Sequence, residues 1–138
     1  MRMDEHNWKL IDDARFEGKE DDAAVSEILI RKLGVCDHDG LDAFNAFFTD
    51  QIEALNSTAV RERARQYWIL SDESWLYLRV WIVSRGCGFF NAARTGSKHA
   101  IAAIASEYPG SFNAPNGERF LHCVEKARER LGAADMRN

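Results

Sequence analysis

The chain has 138 residues, 46% apolar and 29% charged, with a net charge of −4; this is the size of one domain and the balance of a folded protein, not a disordered one. It lacks the run of roughly 18 apolar residues that a membrane span needs. Its charge is divided, with six Lys/Arg against fourteen Asp/Glu in residues 1–57 and seven Lys/Arg against Glu62, Asp72 and Glu73 in residues 58–100, which argues against a dedicated nucleic-acid binder with its much stronger basic surplus.

The opening residues Met1 to His6 are polar and acidic, without the apolar stretch of a secretion signal. Cys36, Cys87 and Cys123 are odd in number and widely spaced. That pattern suits reduced thiols and a cytoplasmic setting better than a disulfide framework.

The first predicted helix runs from about Asp4 to Phe16, with Trp8, Ile11 and Arg15 on one stripe, and Gly18 ends it. Asp21 and Asp22 suit the start of a second helix, whose apolar face is Val25, Ile28, Leu29 and Leu33. Gly34 stands where a left-handed C-terminal cap is expected. Cys36-Asp37-His38-Asp39-Gly40 then reads as a connector and helix start. Its mixed soft and hard ligands have no second half, so no metal site is expected.

A third helix carries Leu41, Phe44, Phe48, Ile52 and Leu55 and stops near Asn56-Ser57. Thr58 is the expected cap of a basic fourth helix with Arg61, Arg63 and Arg65, leading into Tyr67 to Leu70. Ser71-Asp72-Glu73 is the clearest helix start, a hydroxyl cap followed by two acids. Trp75 to Val83 is apolar nearly all round, as in a helix surrounded by others. Its β-branched and aromatic residues would also suit a buried strand, but length and cap favour helix.

Gly86 and Gly88 are expected to break this helix before a short one bearing Phe89, Phe90, Ala92 and Ala93. Ser97 caps a weaker helix with Ile101 and Ile104, and Thr95-Gly96-Ser97-Lys98 hints weakly at an anion-binding helix start. Tyr108-Pro109-Gly110-Ser111 reads as a turn. One last helix runs from Pro115-Asn116 through Phe120, Leu121, Val124 and Leu131, before a frayed tail over 133–138.

Three blocks carry a family likeness. They are Trp8-Lys9-Leu10-Ile11-Asp12-Asp13-Ala14-Arg15, then Leu41-Asp42-Ala43-Phe44-Asn45-Ala46-Phe47-Phe48, and most specifically Ser71 to Gly86 followed by Phe89-Phe90-Asn91-Ala92-Ala93. Over about residues 6–94 the chain resembles a bacterial family, domain of unknown function 4240 (DUF4240). It departs from that pattern in having Trp75 where the family usually has Phe, and a shorter helix before the third block. The resemblance implies an all-helical fold and no activity.

The chemistry concentrates on the helix over 71–86. At about 100° per residue, Asp72, Trp75, Arg79, Ile82 and Val83 share one face, and Ser74, Tyr77, Leu78, Trp81 and Arg85 the other. Trp75–Arg79 and Trp81–Arg85 are spaced so that each guanidinium can lie over an indole. A buried Arg79 requires a carboxylate. Asp12 or Asp13, beside Trp8, is the preferred partner and Asp72 the second choice. His6, His99 and His122 are isolated in sequence, Gly86-Cys87-Gly88 lacks the spacing of a phosphate loop, and no catalytic set emerges.

The resulting expectation is a single all-α domain over 1–138, a compact orthogonal bundle of about seven or eight helices around 71–86. The expected function is a non-enzymatic bacterial interaction protein that binds a partner protein, with immunity proteins and antitoxins as examples. No cofactor, metal, nucleic acid or membrane is expected. The alternative is an enzyme or small-ligand sensor with an anion pocket lined by Trp75, Tyr77, Arg79 or Arg85.

Overall fold

The computed structural model describes residues 3–19, 21–95, 98–107 and 113–136. All regular structure among them is helical: α1 (Met3–Gly18), α2 (Asp22–Leu33), α3 (His38–Ala54), α4 (Thr58–Arg65), α5 (Asp72–Ser84), α6 (Cys87–Arg94), α7 (Lys98–Glu107), α8 (Glu118–Leu121) and α9 (Cys123–Met136). The protein is therefore all-α. Its contacts separate two units, one of residues 1–49 with 119–138 and the other of residues 50–118.

In the first unit α1 packs on α2, and α2 on α9. The Asp21 carboxylate accepts from the backbone N–H groups of Ala23 and Ala24, satisfying donors that the first turn of α2 leaves open. Ile11, Ala14, Leu29, Leu33, Leu41 and Phe44 are buried. Trp8 meets Phe47 edge-on at 5.1 Å, and Phe44 stacks on Phe48 at 5.6 Å, so the paired phenylalanines of α3 interlock rings as well as burying them. Polar surface pairs cross the helices: Arg15–Asp22 at 3.0 Å, Arg130–Glu27 at 2.8 Å and Arg128–Asp42 at 2.6 Å.

One expectation is corrected in this unit. Gly34 is not left-handed: its φ of −66° keeps it right-handed, and its N–H still bonds the Ile30 carbonyl as the helix winds down. The left-handed residue is Lys19, with φ 57°, directly after α1. Asn7, a polar residue that nothing in the sequence marks, is buried in α1.

In the second unit α7 contacts α4 and α6, and α6 contacts α5. Ser57 caps α4, one residue ahead of the expected Thr58, its hydroxyl accepting from Val60 N–H. Ser71 caps α5 as expected. Ser74 completes a reciprocal capping box, with Ser71 Oγ accepting from Ser74 N–H and Ser74 Oγ from Ser71 N–H. From Leu78 to Ser84 every residue of α5 is buried.

Gly86 turns the chain from α5 into α6 at φ 108°, a conformation that costs side-chain-bearing residues strain. Gly88 breaks nothing; it lies exposed within α6. Gly117 has a different task. Its N–H bonds the Tyr77 carbonyl at 3.0 Å, and a Cβ there would stand 2.3 Å from the Trp81 backbone nitrogen. Only a residue without a side chain lets the loop lie this close to α5.

The last expected helix is two, α8 and α9, separated at His122. Asn116 Oδ1 caps its start by accepting from Glu118 N–H. α9 continues to Met136, into the segment expected to fray. The cap Ser97, the anion-site residues Gly96 and Ser97, and the turn over 108–111 lie outside the described residues.

Candidate functional site

Of the residues that the sequence singles out, the two Trp/Arg pairs lie toward opposite ends of α5, and Asp12 and Asp13 lie on α1. At its N-terminal half, Trp75 and Arg79 both point to where α3 ends. Trp75 Nε1 donates to Asn56 Oδ1 at 2.9 Å. The Arg79 guanidinium lies over the Trp75 ring at 5.2 Å, and its Nη1 donates to the Ile52 carbonyl at 3.2 Å and to Glu53 Oε1 at 3.4 Å. Arg79 is 6% exposed.

The physical reason lies in α3. Its last turn holds no basic residue, yet a helix leaves its final carbonyls unpaired and carries partial negative charge there. Glu53 adds a full negative charge at that same end. Arg79 supplies the cation that α3 lacks, with a donor for one open carbonyl. Burial pulls the guanidinium below its usual pKa range; the hydrogen bond and charge of Glu53 pull it back up, and Arg61 nearby pulls it down. The Nε–H groups of Arg79 and Arg61 are buried without a hydrogen-bond partner.

The expected partners of Arg79 are thus replaced. Asp13 is held by Lys9 at 2.7 Å, which lowers its pKa. Asp12 is exposed. Asp72, 99% exposed in its side chain, is met at 3.0 Å by Arg61. Helix spacing carries no information about residues 27 positions apart, which is why the sequence does not point to Ile52. The legible signal is Glu53 itself, an acid at the end of a helix with no cation of its own.

At the other half of α5, Arg85 lies over Trp81 at 4.9 Å and over Phe89 of α6 at 5.8 Å. Trp81 meets Phe89 edge-on at 6.2 Å. Tyr77 lies between these ends. Its phenol is pushed up first by its hydrogen bond to Glu73, then by burial and by Glu118. The two clusters follow the two faces that helical spacing predicts, with Trp75 and Arg79 stacked on one and Trp81 and Arg85 on the other.

The connector before α3 performs the capping its sequence suggests, with Asp37 Oδ1 accepting from Gly40 N–H at 2.7 Å. Among the described residues no group of three or more His, Cys, Asp or Glu is arranged to hold a metal ion, and no helix is long and apolar enough to cross a membrane. Of the three thiols, Cys123 is the buried one; burial pushes its pKa up to about 12.

No curated protein and no solved structure matches the chain. The likeness carried by three sequence blocks over about residues 6–94 extends further in both directions: the chain belongs to the family described as protein of unknown function (DUF4240), which it matches over residues 1–130.

Proposed function

We propose that this is a non-enzymatic accessory protein of the bacterial cytoplasm that binds another protein through the α1–α2 face of its first unit. The observation that carries this reading is the exposure of two large apolar side chains, Phe16 at 84% and Val35 at 88%. Val35 lines a groove of about 550 Å³ with Glu17, Ile28, Arg31 and Lys32, and Phe16 is the neighbour of Glu17 in the sequence of α1. Interfaces concentrate aromatic anchors beside such recesses, within a polar rim.

The acidic excess of residues 1–57, fourteen Asp/Glu against six Lys/Arg, favours a basic partner and would speed its encounter. An immunity protein or antitoxin blocking a basic toxin face is one example of the class. The test is capture from the native host, then titration of the purified partner. Phe16→Ser with Val35→Ser is expected to weaken binding by about tenfold or more with the melting temperature unchanged. A partner retained at full affinity by the double variant would sink the reading.

The competing reading is an enzyme or small-ligand sensor with an Arg/Trp-lined anion pocket, and the unpaired Nε–H groups of Arg61 and Arg79 favour it. The closure of Arg79 by Ile52 and Glu53 favours a scaffold role instead. Arg79→Leu separates the two: a lower melting temperature supports the scaffold, and an intact fold with abolished ligand binding supports the pocket.

A further inference from the structure

The three arginines of α4 alternate in sequence and have different surroundings. Arg61 closes on Asp72 at 3.0 Å, and Arg65 on Glu62 at 3.0 Å. Arg63, half-buried, has no carboxylate within ion-pair distance among the described residues. It lines a cleft of about 220 Å³ together with Gln66, Tyr67 and His99, backed by Ile101 and Ala102.

The lining brings together a guanidinium, an amide, a phenol and an imidazole, each able to donate hydrogen bonds. No Asp or Glu is among these residues. A half-buried cation with no counterion among the described residues, ringed by donors, is complementary to an oxyanion. The size narrows the choice, because pockets for drug-sized ligands begin at roughly 300 Å³. The cleft suits a small group and not a nucleotide. Four donor-bearing side chains can converge on the three oxygens that a phosphoryl group presents in a pyramid, where a carboxylate offers two in one plane.

We propose that the α4–α7 cleft binds the phosphoryl group of a small phosphate monoester, with Arg63 as its principal cation. This site belongs to the second unit and is independent of the protein-binding face proposed above.

The experiment is titration of the full, isotopically labelled chain with inorganic phosphate, phenyl phosphate and acetate, followed by amide chemical shifts. Saturable shifts are expected at residues 63–67 and 99–102 with both phosphates, about tenfold or more tighter than with acetate. Arg63→Gln is expected to weaken phosphate by about tenfold or more. Arg65→Gln, the same charge change on the same helix but outside the cleft, should stay within about twofold.

If Arg63→Gln does not fold, Arg63→Lys and Tyr67→Phe take its place, each with partial loss expected. The proposal is overturned if no shift saturates, if acetate binds as well as phosphate, or if Arg65→Gln loses as much as Arg63→Gln. It is also overturned if a single-stranded oligonucleotide binds with steep salt dependence and equal losses at all three arginines, the behaviour of a general basic face.

Discussion

Arg79 and Arg85 repeat one local arrangement on α5 and use it differently. Each guanidinium covers the indole four residues earlier, at 5.2 and 4.9 Å. Each also stands at the negative end of a helix. For Arg85 that helix is its own, where it is the C-terminal cap residue beside the Gly86 corner. For Arg79 it is α3, reached through the Ile52 carbonyl. The first braces consecutive helices; the second ties segments that are distant in sequence. Spacing along a helix predicts the stacked pair, but what the far side of the guanidinium meets decides its task.

The strongest test of this comparison is to disturb the surface that both ends share. Gly117→Ala would drive a methyl group into the backbone of Val80 and Trp81, and a loss of about 3 kcal/mol or more is expected in urea denaturation. A loss below about 1 kcal/mol would mean the loop moves aside and α5 is not clamped there.

Next, Arg79→Leu removes a charged donor from a buried carbonyl, with an expected cost of about 2 kcal/mol and a melting temperature several degrees lower. Arg85→Leu, which removes its stacking on two rings, is expected to cost about 0.5–1 kcal/mol. Equal losses would erase the distinction drawn between the two arginines.

A finer probe is Trp75→Phe, which keeps an aromatic ring but deletes the hydrogen bond to Asn56. About 1 kcal/mol is expected, and Asn56→Ala combined with Trp75→Phe should then add little. Last comes a change that is nil at neutral pH. Cys123 in the first unit has its thiol raised from 9.0 to about 12. Above pH 9 the unfolded chain sheds this proton while the folded one keeps it, so stability falls as pH rises toward 12. Cys123→Ala is expected to flatten that alkaline decline, which a pH series of melts would reveal, and an unchanged slope would contradict the assigned burial.

Much of the fold is legible in the sequence because local signals are strong. Asp21 and Ser71 each announce a helix start through a side chain that caps it, and the apolar run from Trp75 to Val83 announces a buried helix. Chain reversal is what the sequence conceals. Residue type points to Gly34 as a left-handed cap and to Gly86 and Gly88 as breakers, whereas among the described residues only Gly86 of these has a positive φ, and the other positive φ belongs to Lys19. Gly117 has ordinary composition around it; its necessity comes from a helix that approaches it in space. The candidate site is half legible for the same reason: periodicity places Trp75 and Arg79 correctly on α5, but Glu53, Ile52 and Asn56 belong to another segment.

The dependence of α3 on Arg79 has an evolutionary corollary. If α5 supplies the charge that finishes α3, positions 53 and 79 are not free to drift separately. A relative that replaced Arg79 with a neutral residue would keep an acid at 53 only with a new cation close by, such as a lysine entering the turn over 54–57. The pair should therefore co-vary across the family more strongly than either stacked indole does with its arginine.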